Sequence, residues 1–367
     1  MEFKIKRKTL LNSIAKVSRA VSMKSPLPAL TGIKFELTDH ELILTGSDTD
    51  ITIQTSISND IDIIERGSVI LSSKYIFDIV RKLDDDELTI SILDGNLTRI
   101  KSSRSTFDLN GTDSHEYPRI DLNKNGLHVQ IQSNILKDCI EQTSFATSDK
   151  ENRPVLTGVN FRLENNVLSC IATDSYRLAL KKTGINCDDS FNIIIPKKSL
   201  IEISRLIEND TNIDLYISDR KILCVIDDVV IQSRLIDGTF PDTNRLLSVD
   251  FSYELSTDSV SLLSAIDRAS TLSSDAGTTI KLEMDDNQVK VSSSSQELGS
   301  VEEILDQSFY KGEPLAISFS SKYLTEAIKS INSDKVKLSF NGEMKPFIVK
   351  NIDEDNVTQL ILPVRTY

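Results

Sequence analysis

Glycine and proline are scarce, 13 and 9 in 367 residues, which excludes low-complexity and collagen-like chains and leaves an ordinary globular composition. No segment approaches the roughly 18 uninterrupted apolar residues that a membrane helix requires. Met1 to Leu10 is basic but lacks the apolar stretch of a signal peptide, so a cytoplasmic protein with no membrane partner is expected. The four cysteines, Cys139, Cys170, Cys187 and Cys224, form no C-x-x-C pair and have no histidine cluster nearby. Idle thiols in a reducing compartment are expected, rather than disulfides or a metal site. The three histidines, His40, His115 and His128, carry no Ser-His-Asp or metal-ligand spacing around them. A Walker glycine loop and a Gly-x-Gly-x-x-Gly motif are missing as well. The run Asp84-Asp85-Asp86 lacks the spaced oxygen ligands of an EF-hand and reads as a solvated turn. No enzymatic activity, metal or cofactor is therefore expected.

What the chain does have is a long internal repeat. Ser72-Ser73-Lys74-Tyr75-Ile76 returns as Ser320-Ser321-Lys322-Tyr323-Leu324, with a weaker copy from Pro196, so that Lys74, Lys198 and Lys322 stand 124 residues apart each time. Leu30-Thr31-Gly32-Ile33-Lys34-Phe35 returns as Leu156-Thr157-Gly158-Val159-Asn160-Phe161 and, faintly, from Thr278. Tyr117-Pro118, Phe240-Pro241 and Leu362-Pro363 close the three copies. Solenoid units are far shorter and cannot bury a core alone, whereas each copy here is of domain size. Three domains joined end to end are expected, at 1–123, 127–247 and 249–367.

Each copy carries the same order of elements. Thr9 is placed as the N-cap of an amphipathic helix through Leu10, Leu11, Ile14, Val17 and Val21; equivalents start near Asn134 and Asp258. The repeated Lys-containing segment is a second helix. Alternating runs such as Leu88/Ile90/Ile92, Ile213/Leu215/Ile217 and Val336/Leu338/Phe340, with turns at Asp94-Gly95 and Asn341-Gly342, read as half-buried antiparallel strands. The fold class is α+β, each domain placing two helices on one side of antiparallel sheets.

The net charge of -13 argues against a polyanionic partner at long range. Its distribution argues otherwise: Lys16, Arg19, Lys24, Lys74, Arg81, Lys82, Lys150, Arg153, Lys197, Lys198, Arg205, Lys322 and Lys329 lie on or beside the helices, while the acidic clusters occupy turns and strands. The alternative is a set of merely solvated helix faces.

Three further segments in register with the repeat carry a family resemblance. Ala172-Thr173-Asp174-Ser175-Tyr176-Arg177-Leu178-Ala179 is similar to the alanine-threonine-aspartate-glycine-histidine-arginine-leucine-alanine segment of bacterial sliding clamps, the beta subunit of DNA polymerase III. Ile236-Asp237-Gly238-Thr239-Phe240-Pro241-Asp242 and the terminal Leu360-Ile361-Leu362-Pro363-Val364-Arg365 also resemble that family. The resemblance spans the whole chain. It implies a ring-shaped homodimer of six clamp domains that encircles duplex DNA independently of sequence and tethers the polymerase III alpha subunit, the clamp loader and other proteins carrying a clamp-binding motif. The competing reading is a three-domain scaffold that binds protein without encircling DNA.

The site residues implied by the resemblance fall into three groups. A partner-peptide pocket would be lined by Leu156, Thr173, Ser175, Tyr176, Arg177, Leu178, Pro241, Leu246, Tyr323, Leu360, Leu362, Pro363, Val364 and Arg365, with aliphatic walls for apolar anchors and Arg177 and Arg365 holding the peptide's polar atoms. Ser175 and Tyr176 stand where the family has glycine and histidine, and Thr366-Tyr367 extends past Arg365. Taken alone, Leu360, Leu362 and Val364 also read as an ordinary final strand. DNA phosphates would meet Lys24, Lys150, Arg153, Lys197 and Lys198, although Pro154 and Val155 replace two aromatic residues of the family's DNA-contacting loop. Ring closure would use Lys74, Arg104, Phe107, Leu109, Thr271 and Leu272, with Glu297, Glu302 and Glu303 as ionic partners. The plain alternative is that Phe107 and Leu109 serve their own core.

Overall fold

The structure is a computed structural model that describes residues 1–247, 250–272 and 279–365. Thr278 and the Thr366-Tyr367 extension lie outside the described residues. Seven helices are seen among them: α1 Arg7–Ser18, α2 Ser73–Lys82, α3 Ser133–Glu141, α4 Lys197–Leu206, the single turn α5 Asn244–Leu247, α6 Ser259–Ser270 and α7 Ser321–Ile331. Every pairing between named strands is antiparallel. The chain divides into two compact units, Met1–Asn134 with Ile201–Leu235, and Ile135–Leu200 with Ile236–Tyr367.

The first unit holds a five-stranded sheet in the order Ile61–Glu65, Glu2–Lys6, Glu87–Ile92, Leu97–Lys101, Thr106–Asn110. It also holds an eight-stranded sheet in which four strands of the middle repeat, ending at Val229–Arg234, pair through Ile231 and Ile53 with four strands of the first repeat, starting at Ile51–Ile57. The repeats are thus joined by continuous hydrogen-bonded sheet, not only end to end. The helical spacing of Leu10, Ile14 and Val17 puts all three on the buried face of α1, which packs against α2 and the sheet. Tyr117, at the end of the first repeat, is buried and its hydroxyl donates to the Thr45 carbonyl at 3.2 Å, which anchors that end.

Two local readings change. Thr9 does not cap α1: the strand Glu2–Lys6 runs straight into the helix at Lys6, and the Thr9 hydroxyl donates to the Asp60 carboxylate at 3.1 Å. The acidic run takes over part of the capping task. The Arg7 N–H donates to the Asp86 carbonyl at 2.8 Å and its Nε to the Asp85 carbonyl at 3.1 Å, so a helix-start donor is satisfied from a distant turn. By contrast, α6 starts where the sequence places it, with the Asp258 carboxylate accepting the Ser261 N–H at 2.7 Å.

The second unit contains a four-stranded sheet ordered Gly299–Ile304, Val289–Ser295, Thr279–Met284, Leu315–Ser320. Its nine-stranded sheet joins Phe191–Pro196, Gly158–Glu164, Val167–Thr173 and Arg177–Gly184 of the middle repeat to Val357–Ile361, Phe347–Asn351, Lys335–Phe340, Tyr253–Asp258 and Phe309–Lys311 of the third. The core beneath α6 and α7 is centred on Phe319, Phe340 and Phe347, whose ring centroids lie 5.1 Å apart in each contact with Phe347. Cys139, Cys170 and Cys224 are buried, and burial raises the Cys224 thiol to about 12, so it stays protonated and inert.

Candidate partner-binding pocket and basic surface

The turn between Val167–Thr173 and Arg177–Gly184 is built by its own side chains. One Asp174 oxygen accepts the N–H groups of Tyr176 and Arg177 at 2.9 and 3.0 Å, and the Thr173 hydroxyl accepts the Ser175 N–H at 3.1 Å while donating to the Arg177 carbonyl at 2.6 Å. The turn forces Ser175 to a φ of 76°. A side chain at that angle crowds the backbone, which accounts for glycine in the related motif. Replacing Ser175 by Gly should stabilise the chain by about 0.5–1 kcal/mol, measured as a higher urea midpoint at unchanged slope; a lower midpoint would contradict the strain argument.

Arg177 departs from the role expected of it. Its guanidinium is buried and three of its donors are used inside the protein: Nε on Asp174 at 3.0 Å, Nη2 on the Phe145 carbonyl at 2.7 Å and Nη1 on Glu326 of α7. The rings of Phe145 and Tyr323 flank it at 5.3 and 4.5 Å. Arg177 therefore ties the turn to α7. Burial, followed by the nearby Asp174 charge, raises the Tyr323 phenol above its ordinary value.

The apolar floor is formed by Leu178, Leu180, Ile348 and Leu360, with Ile171, Leu247, Phe251 and Leu362 packed against it. Leu178 and Leu360, two of the residues expected in the pocket, belong to this buried cluster. In α5, Leu247 packs against this cluster and Leu246 is exposed. Ile171, Leu180, Ile348 and Phe251 were missed, although the alternation Leu178/Leu180 on one strand face carried the signal. Beyond the final strand the chain continues as a tail, with the Leu362 N–H donating to the Tyr176 carbonyl at 2.9 Å and the Val364 N–H to the Ser318 carbonyl at 2.7 Å. Leu360 is thus an ordinary strand residue, and Leu362 to Arg365 is not. Tyr176 and Val364 are exposed beside this tail at 56% and 39%, Arg365 and Pro241 are exposed, Pro363 is half-buried, and Leu156 is buried in its own short helix Pro154–Leu156.

Among the expected DNA contacts, Lys24, Lys150, Arg153 and Lys198 are exposed, and Lys197 pairs with exposed Asp149 at 3.3 Å. Other helix cations are committed internally: Lys16 to Asp228 at 3.1 Å, and Arg19 and Arg205 to Glu202 at 3.3 and 2.8 Å.

At the expected interface, Phe107 is 39% exposed and Leu109 half-buried on Thr106–Asn110, which ends its sheet. Lys74 lies over the Tyr75 ring at 5.7 Å, and Arg104 is exposed. Thr271 is exposed and Leu272 half-buried just past α6. The proposed ionic partners are partly occupied: Glu303 is held by Arg268 at 2.9 and 3.0 Å, and Glu302 by Lys290 at 3.4 Å.

The chain is thus a tandem α+β protein with sheets continuous across its repeats and dispersed exposed cations. Comparison with known proteins agrees. The family descriptions "DNA polymerase III beta subunit, N-terminal domain", "central domain" and "C-terminal domain" match residues 1–121, 130–242 and 244–365. The beta sliding clamps of Staphylococcus aureus and Staphylococcus epidermidis are 41% and 40% identical, each alignment covering 100% of both chains. The crystal structure of the Bacillus subtilis sliding clamp superposes with a TM-score of 0.95 at 39% identity, and that of the Streptococcus pneumoniae polymerase III beta chain with 0.96 at 34%, each covering 100% of both chains. The chain belongs to the DNA polymerase III beta subunit family, the beta sliding clamps, and its function is that of a non-catalytic processivity factor.

Proposed function

We propose that two copies close head to tail into a six-domain ring around duplex DNA. The observation that carries this is a pair of unmatched sheet edges. Each long sheet joins the late strands of one repeat to the early strands of the repeat before it. Among the described residues two half-sheets lack such a partner: the late strands of the first repeat, ending at Thr106–Asn110, and the early strands of the third, ending at Gly299–Ile304. An exposed edge is a template for pairing. Joining Thr106–Asn110 of one copy to Gly299–Ile304 of another repeats the junction already made twice within the chain, and two copies satisfy both edges. Phe107 and Leu109 lie on the first edge; the exposed Ile304 lies on the second and was not expected from sequence. Domain borders at 1–123, 127–247 and 249–367 divide the chain into the units of this ring.

The ring slides, so its grip must be weak and blind to sequence, which suits scattered Lys and Arg on phosphates. Exposed pairs such as Lys197–Asp149 contribute little and can exchange for a phosphate. Changing Lys24, Lys150, Arg153, Lys197 and Lys198 to Ala should lower the salt slope of DNA binding by up to about one unit per lost contact. An unchanged slope would place the contacts elsewhere. The pocket floored by Leu178, Leu360 and Leu362 is the docking site for the polymerase alpha subunit, the clamp loader and other carriers of an apolar-anchor motif, and the protein works in the cytoplasm. Loading onto nicked circular DNA followed by linearisation tests encirclement: the ring should be retained on the circle and lost from the line. Equal retention on both would favour a scaffold that does not encircle DNA.

A further inference from the structure

Beside the pocket, the outward face of the nine-stranded sheet continues as a groove of about 500 Å³. Strand register lays it out in rows. The row Thr173, Leu178, Leu360, Ile348 crosses the pocket floor. Two residues along the strands lies Ile171, Leu180, Thr358, and two further Ser169 and Lys182, whose N–H donates to the Asn356 carbonyl at 2.8 Å. Each two-residue step covers about 6.6 Å, so the third row lies roughly 13 Å from the first, or about four residues of extended chain. Ile171, Leu180 and Leu247 line the groove and also touch the pocket's apolar floor, so the two are continuous.

Along this path the chemistry changes from apolar to charged. At the far end Arg162 pairs with Glu164, and Lys350 with Asp355. Lys182 is exposed and forms no ion pair among the described residues, which leaves the groove one positive charge in excess.

We propose that the segment bound in the pocket is longer than its apolar anchors. It continues along this sheet face and sets an acidic side chain, about four residues past the anchor over Leu178 and Leu360, against Lys182. This rests on the pocket reading above. An extended acidic tail fits because the path is straight, its near half is apolar and its far half is cationic.

The test uses the full-length chain and fluorescent peptides sharing one set of glutamine, leucine and phenylalanine anchors. One ends at the anchors; others carry five further residues at either end, with Glu or Lys at the fourth. The Glu extension at one end should bind about three- to fivefold tighter than anchors alone, the range of an exposed ion pair. Lys182→Glu should abolish that gain and transfer it to the Lys extension, while the anchors-only peptide stays within about twofold. Extensions that add nothing at either end, or a gain indifferent to the charge reversal, would overturn the proposal. Failure of the pocket reading shows separately, as no binding of the anchors-only peptide, and removes this proposal with it.

Discussion

Phe107→Ala combined with Leu272→Ala should convert the dimer to folded monomers at concentrations where the parent remains paired. Phe107 is 39% exposed and Leu272 half-buried in the single chain, so each has only part of its apolar surface left to bury against a partner. At about 25 cal/mol per Å² of apolar surface, the two together contribute about 2–4 kcal/mol, or roughly a thirtyfold to thousandfold rise in the dimer dissociation constant. Sedimentation across nanomolar to micromolar concentration measures it, with circular dichroism reporting the fold. Ile304→Asp gives an independent arm from the opposite edge, since it sets an unpaired charge in the same junction. If both variants stay dimeric at nanomolar concentration, the ring closes through other strands.

Removal of Leu362 to Tyr367 should abolish partner docking and leave the folded dimer in place. The truncation takes away Leu362 from the apolar floor and two backbone hydrogen bonds, to Tyr176 and Ser318. It spares Val357–Ile361, which is buried throughout and pairs on both sides within the nine-stranded sheet. A peptide with glutamine, leucine and phenylalanine anchors should bind the intact chain near micromolar strength, about 8 kcal/mol, and about a hundredfold more weakly after truncation. DNA retention should persist, because none of the exposed cations assigned to phosphate lies in the deleted segment. A truncated, folded dimer that binds the peptide as well as before would show that the pocket lies elsewhere.

The two experiments separate two kinds of sequence signal. The motif around Arg177 singled out the arginine, but not the internal partners it holds. Its type and position were visible in the chain, whereas the carboxylate of Glu326 and the carbonyl of Phe145 that accept from it come from 149 and 32 residues away. Leu246 and Leu247 are indistinguishable by type, and only the direction in which α5 leaves its turn decides which of them is buried and which exposed. Lys16 and Arg19 looked as available as Lys24, yet the first two are paired across repeats with Asp228 and Glu202.

Periodicity and repetition were enough to establish three α+β copies, their helices and most of their strands, because those depend on side-chain spacing within one segment and on the same order recurring at a fixed interval. Capping at Asp258 is likewise local and was readable. Which copies share a sheet and whether Lys16 and Arg19 are already paired depend on partners more than a hundred residues distant. No spacing rule encodes them. They were decided only when the chain closed its sheets across the repeats, leaving, among the described residues, the two sheets that end at Thr106–Asn110 and Gly299–Ile304 as the ones that no second repeat extends.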